Sequence, residues 1–402
     1  MALIPVAEAL EHVLAGVEPL PPEYASLREA HGRVLAADLK ALRTQPPANI
    51  SAMDGYAVRG EDVASAPARL KLIGEVAAGR PFAGRIEPGQ AARIFTGGVL
   101  PPGADTVVIQ EVTERERDGV VVNSATTRGR NVRLEGLDFK AGETLLTRGH
   151  RLADRSLALA AAMNHAAVPV HRRPKVALVA TGDELVAPGS SPGPGQIVYS
   201  NGFAIGAMVR QEGADLADLG IVGDHLGSTV DAISRARRWG ADVLVTTGGA
   251  SVGDYDLVQE ALRSLGLKLA FWKVALRPGK PLMHGQIADM RVLGIPGNPV
   301  SAFVCAVLFL VPLIRKLSGR ADLTAQRESA VLGIDLAEND ERSDFLRATL
   351  AMRDGQAVAT PFPVQDSSMM APLAKADCLV VREPFAPAAA AGSPCTIVKL
   401  GL

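Results

Sequence analysis

From Lys175 onward the chain alternates between runs suited to strands and windows suited to helices, and few architectures accept that rhythm. KVALVAT precedes SNGFAIGAMVRQEG, ADLADLGIV precedes STVDAISRARRWG, and DVLVTT precedes LVQEALRSLG; LKLAFWKV, RVLGI and a helical window from Pro299 follow. β-Branched runs separated by helices predict a doubly wound, mostly parallel sheet covered on both faces. In such a sheet ligands bind beyond the carboxyl ends of the strands, where loops and helix N-termini leave backbone N–H groups free. The segments that follow the strands are Thr181-Gly182-Asp183-Glu184, Gly223-Asp224, Gly248 to Asp256, Arg277-Pro278-Gly279-Lys280-Pro281 and Pro296-Gly297-Asn298-Pro299. All five are polar or rich in glycine, so a pocket is expected at their common edge.

The residue types in those loops point to an anionic ligand. Gly248 and Gly249 allow close backbone approach, Ser251 can donate to an anion, and Asp256 suits a hydrated cation. In IPGNPVSAF, Asn298 reads as an N-cap and Pro299 as the first helical residue, which would leave N–H groups near Ser301 facing the pocket. Lys273, Arg277 and Lys280 add positive charge, and Glu184, Asp224 and Asp256 add negative charge. That mixture fits an anion accompanied by Mg²⁺, which needs one or two carboxylates besides ligand oxygens. Asp183 and Asp224 read equally well as helix caps, Lys273 beside Trp272 as a solvated face, and His225 and His284 as ordinary surface or core histidines. No Walker A loop, HExxH, GxSxG or Cys/His cluster is present, which removes the zinc hydrolase and serine esterase classes.

A chain of 402 residues exceeds what one core usually supports, so further domains are expected. PVAEALEHVLAGV has a helical period, and DRSLALAAAMNHA reads as a second helix capped by Asp154; the two are expected to pack together. Between them lie short β-rich runs punctuated by Gly and Pro, and strand-like pieces return after Gly319. The resulting fold class is a multidomain α/β protein. Residues 1–44 with 141–173 form a helical domain, 45–140 an inserted β-domain, 174–320 the α/β domain and 321–402 a C-terminal β-domain. A net charge of -1 leaves no nucleic-acid footprint. Three scattered cysteines fit a reducing, cytoplasmic compartment, no signal peptide is read, and the apolar Val300–Ile314 run reads as a buried helix rather than a membrane span.

MDGYAVR at residues 53–59, RIFTGGVLPPGADTVVIQE at 93–111, ATGDEL at 180–185, TTGGASVGDYD, RPGKP and GIPGNPVSAF together resemble the molybdopterin molybdenumtransferase family, the MoeA and gephyrin E-domain proteins. The resemblance runs in order over nearly the whole chain. It implies a cytoplasmic homodimer that inserts molybdate into adenylylated molybdopterin and releases AMP with Mg²⁺. Its cleft would be shared between subunits, with Asp54 and Thr96 closing it from the partner. Asp224 and Asp256 would hold the metal, and Glu184 would orient water or move a proton. Lys273, Arg277 and Lys280 would hold the phosphate and oxyanion, and Pro296 to Ser301 would line the pterin pocket together with Thr181, Gly182, Asp183, Gly248, Gly249 and Ser251. From outside the α/β domain, Arg133, Arg342 with Arg347 nearby, and Ser367 or its neighbour Ser368 would reach the cleft. Partners would include a molybdopterin adenylyltransferase and proteins that receive the finished cofactor. Two alternatives stay open: adenylyl transfer to molybdopterin, and a binding scaffold without catalysis.

Overall fold

The computed structural model describes residues 3–248 and 257–400. In the α/β domain six strands lie side by side in the order Asp215–Val222, Lys175–Thr181, Val243–Thr247, Met290–Ile295, Met283–Ile287 and Lys268–Trp272. The first four are mutually parallel. Met283–Ile287 reverses direction and Lys268–Trp272 reverses it again, so the edge strand once more ends at the edge where the parallel strands end. The hairpin strand Met283–Ile287 was not anticipated, because MHGQI has no β-branched run; it is a strand because burial between two neighbours overrides local propensity.

The apolar window forms helices from Pro299 to Leu317 with a π-helical turn at Ala306–Leu310. By length and composition it could cross a membrane, yet most of it is buried inside the fold, as a core helix is. Against it packs the first helix, Val6–Leu14. Ala9 and Val13 enter the same core as Phe309, Leu313 and Leu317, and Lys316 Nζ donates to the Leu14 carbonyl at 3.0 Å. A nine-residue helix is marginal alone, so burial at roughly 2 kcal/mol per valine-sized side chain is what holds it.

That position corrects the expected pairing of the two helices. An apolar stripe states that a helix buries one face; it does not state against what. Helix Asp154–Ala162 packs instead into a separate core containing Leu35, Leu39, Phe139, Leu152, Met163 and Val170. The strand pairs around that core are Pro22–Ser26 with Ala167–His171 and Leu39–Lys40 with Thr144–Leu146. Asp154 is also the first helical residue rather than the cap, and Ser156 Oγ accepts the Ala153 N–H at 2.7 Å.

Residues 45–140 contain a six-stranded mixed sheet in which Gly55–Val58, from the MDGYAV stretch, lies between Thr106–Ile109 and Gln90–Ile94. At the other end of the chain the strands Ser343–Arg353, Gln356–Pro361, Arg327–Leu332, Pro394–Lys399 and Cys378–Arg382 pair in that order. The last returns to pair with the first, closing a five-stranded barrel. The barrel is joined to the α/β domain by strand Leu276–Arg277, which pairs in parallel with Ser343 and Asp344.

Candidate functional site

A cleft of about 640 Å³ opens at the carboxyl edge of the α/β sheet. Strand ends supply Thr181, Thr247, Gly248 and Pro296, the loops add Glu184, Gly297, Asn298 and Pro299, and Ser368 and Met370 arrive from the barrel. Leu185, Ile197, Val198, Tyr199, Pro281 and Met370 supply apolar lining, and apart from Pro296 and Pro299 the rest of the lining is polar or glycine. Thr181 Oγ1 and the Tyr199 hydroxyl are buried without a hydrogen-bond partner among the described residues, which marks a site where a ligand could satisfy them.

Two glycines are needed for this geometry. At Gly182, φ is +147° and a Cβ would collide with the Glu184 carboxylate folded back over it. At Gly248, φ is +88° and a Cβ would strike the Thr181 carbonyl oxygen. Gly182 is required by its positive φ, since the Glu184 side chain could move aside, whereas Gly248, which lines the cleft, is required by both its φ and the fixed Thr181 backbone.

The acids lie on either side of the sheet edge. Asp183 and Asp224 clasp each other: the Asp224 N–H donates to Asp183 Oδ1 at 3.0 Å, and the Asp183 N–H donates to Asp224 Oδ2 at 3.3 Å. Each uses one carboxylate oxygen in this way, so both are exposed loop braces with an oxygen to spare. Neither lines the cleft, whereas Glu184 does. Gly249, Ser251 and Asp256 lie outside the described residues.

The expected cations divide. Lys280 is exposed beside Pro281 and forms no ion pair among the described residues. Lys273 has φ of +88° and its Nζ lies 5.8 Å from the Trp272 ring centroid, so the solvated-face reading fits its surroundings. Arg277 is committed elsewhere. Nε and Nη2 donate to the two oxygens of Asp344, both at 2.7 Å; Nη2 also donates to Asn339 at 2.8 Å, and Asp340 lies 3.2 Å from Nη1. Arg342 in turn donates to Asp340 at 2.9 Å. A guanidinium fork filled by carboxylates from the barrel is a joint between domains rather than an open anion receptor.

IPGNP reaches the cleft by a different arrangement from the one its letters suggest. Asn298 occupies the cap position but makes no side-chain cap bond; its Nδ2 donates to Ser367 Oγ at 3.0 Å. The Val300 N–H donates to the Ser367 carbonyl at 3.0 Å, so one helix-start donor is spent on the barrel. Ser301 is buried and is not a lining residue. The hydrogen bonds also separate the two serines. Ser368, which lines the cleft, donates its hydroxyl to Asp366 at 2.6 Å, whereas Ser367, which does not, accepts from Asn298 at Oγ and has no acceptor for its own proton among the described residues. Asn201, which sequence reading did not single out, donates to the Gly297 carbonyl at 2.7 Å; VYSN at the start of a helical window was the only signal for it.

Asp54, Thr96 and Arg133 do not line this cleft. Asp54 Oδ1 accepts both the Thr96 N–H and the Thr96 hydroxyl at 2.8 Å, and these bonds hold its carboxyl below the usual range although it is exposed. Arg133 is exposed on a two-residue strand paired with Ile50 and Ser51. Around the neighbouring Asn49 turn stand exposed Val99, Leu134 and Leu137.

Known proteins resemble this chain along its length. Residues 4–164 match the MoeA N-terminal region (domain I and II), 177–316 a probable molybdopterin binding domain, and 329–400 the MoeA C-terminal region (domain IV). A molybdopterin molybdenumtransferase from Nostoc is 43% identical over 74% of this chain and 70% of its own length. One from Haemophilus influenzae is 34% identical over 94% of each. The crystal structure of a molybdopterin biosynthesis MoeA protein from Pyrococcus horikoshii superposes with a TM-score of 0.85 at 30% identity and covers 100% of both chains.

Proposed function

The chain belongs to the MoeA family of molybdenum cofactor biosynthesis, and from that premise we propose that it inserts molybdate into the dithiolene of adenylylated molybdopterin with release of AMP. The reaction class is that of a molybdopterin molybdenumtransferase. One observation supports the finer reading: the cleft lining combines apolar side chains with polar, glycine-bearing loops at the carboxyl edge of the sheet, as a fused pterin ring with an anionic tail requires.

Molybdate and the pterin phosphate are both anions, and two unit charges 4 Å apart repel by about 1 kcal/mol in water and about 4 at an effective dielectric of 20. Lys280, beside the cleft-lining Pro281, has no ion pair among the described residues, and the Ser367 hydroxyl, next to the cleft-lining Ser368, has no acceptor among them; these two are assigned to the oxyanion. Arg277 and Arg342, already neutralised by acids, serve to hold the barrel in place. Glu184, at the cleft wall, orients the attacking water or moves a proton. Asp224 and Asp256 would hold Mg²⁺; Asp224 has one oxygen not used in the clasp with Asp183, which fits a hydrated ion of this kind. When bound, the ion would withdraw charge from the phosphoanhydride.

The active unit is proposed to be a cytoplasmic homodimer. The Asp54–Thr96 pair lies outside its own chain's cleft, and exposed Val99, Leu134 and Leu137 stand nearby as apolar surface for a second copy. A molybdopterin adenylyltransferase would supply the substrate. The test is to incubate the purified protein with adenylylated molybdopterin, Mg²⁺ and molybdate. AMP release that depends on molybdate, and that falls at least tenfold in Lys280→Ala, is the expected result. Nucleotide transfer from ATP to molybdopterin, or AMP release indifferent to molybdate, would reject it.

A further inference from the structure

Arg347 sits in the Ser343–Arg353 strand of the barrel and is 1% exposed. Among the described residues its hydrogen bonds go to no carboxylate. Nη1 donates to the Met369 carbonyl at 2.8 Å, Nη2 to the carbonyls of Asp366 at 2.9 Å and Val364 at 3.3 Å, and Nε to Gln365 Oε1 at 3.3 Å. Gln365 closes the clasp, with Nε2 donating to the carbonyls of Arg347 at 3.0 Å and Phe362 at 2.9 Å. All the acceptors of the Arg347 guanidinium belong to one segment, the loop between strand Gln356–Pro361 and helix Met370–Ala374. Val364 is 53% exposed and Met369 37%, so burial of the loop's own apolar side chains does not fix it. The buried guanidinium does, because a desolvated cation must find partners for its donors and the loop carbonyls are those partners.

From the other side the same loop is fastened to the α/β domain, where Ser367 accepts from the Val300 N–H and from Asn298. The loop is therefore a bridge, with Arg347 at one end, the helix start at the other, and the Ser367 hydroxyl and the cleft-lining Ser368 between them.

We infer that Arg347 is a positioning residue for the reaction: it sets the loop that brings the Ser367 proton to the oxyanion and ties the barrel to the cleft. The catalytic part of this rests on the cleft being the molybdate-insertion site. Lysine cannot replace it, since a point ammonium on a flexible stem does not span three carbonyls in one plane.

The test uses the full-length protein and two variants, Arg347→Lys and Gln365→Ala. The second loosens the same clasp without changing the centre of the barrel. Amide hydrogen exchange without substrate is the first readout. Exchange at Val300 should rise at least fivefold in both variants, although Val300 lies in another domain. In turnover assays KM for molybdate should rise roughly tenfold while kcat changes less than about twofold. Ser367→Ala, harmful alone, should add little in the Arg347→Lys background. If both variants only lower barrel stability, with Val300 exchange unchanged and the Ser367→Ala effect intact, the inference is overturned. If wild-type protein shows no molybdate-dependent turnover, the functional reading fails on its own, and Val300 exchange still decides whether Arg347 holds the bridge.

Discussion

Two loops at the carboxyl edge of the sheet are spelled almost alike, RPGKP at 277–281 and IPGNP at 295–299, and they have different tasks. In IPGNP every residue from Pro296 to Pro299 lines the cleft. In RPGKP only Pro281 does, while Arg277 is gripped by Asp344, Asp340 and Asn339 of the barrel. The glycines differ in the same sense. Gly279 has φ of +125°, and a Cβ there would lie 2.7 Å from Cys305 Sγ and 2.8 Å from Leu276; Gly297 has ordinary backbone, and among the described residues its Cβ would meet only Gly248, at 3.7 Å. Composition selects a tight turn. What stands opposite that turn decides whether it builds a fold or a site.

Four measurements can break or sharpen this contrast. The largest effect is expected from Arg277→Ala, which strips Asp344, 10% exposed, of its bidentate partner. Breaking such a pair should cost about 3–4 kcal/mol, toward the low end for buried pairs because Arg277 itself is 42% exposed. Denaturant unfolding checks it, and an unchanged midpoint together with a raised KM for molybdate would return Arg277 to the site.

Next comes pH. RPGKP runs into strand Met283–Ile287, where burial holds the His284 imidazole down at about 4. Its folded value lies below the unfolded 6.5, so the unfolded chain binds the proton first. Stability is complete above pH 6.5 and falls as pH drops towards 4, by about 3 kcal/mol for a shift of this size. His284→Gln should flatten that slope in unfolding curves at pH 7 and pH 4.5; equal slopes would reject it. The strand that enters IPGNP contains no histidine.

Gly279→Ala should cost about 2–3 kcal/mol from backbone strain and overpacking. Gly297→Ala should stay within about 0.5 kcal/mol of wild type, yet raise KM by narrowing the gap to Gly248. If the two alanine variants unfold at the same denaturant concentration, the distinction between the two glycines fails.

The alternation of strands and helices was legible because glycine and proline mark where each strand stops, and the same punctuation revealed the loops that form the cleft floor. Charge partnership was not legible. Arg277 and Arg342 read as receptors for an oxyanion, and nothing within a few residues of Arg277 announces that Asp344, 67 positions later, will occupy its fork. The apolar lining at Ile197 to Tyr199 was hidden for a related reason: IVY at a helix entrance resembles ordinary packing until the fold brings it into one cleft with Pro296 and Met370. Ser367 and Ser368 look interchangeable in the sequence; in the fold Ser368 lines the cleft and donates to Asp366, while Ser367 accepts from Asn298.

The seat of the first helix has a consequence for how the protein is made. Leu14 and the Lys316 side chain that holds it are 302 positions apart. At about 5–20 residues per second, a ribosome needs roughly 15–60 s to bridge that interval. Throughout that time residues 6–14 lack the Phe309 to Leu317 face they pack against, so this stretch of the nascent chain stays open to chaperones.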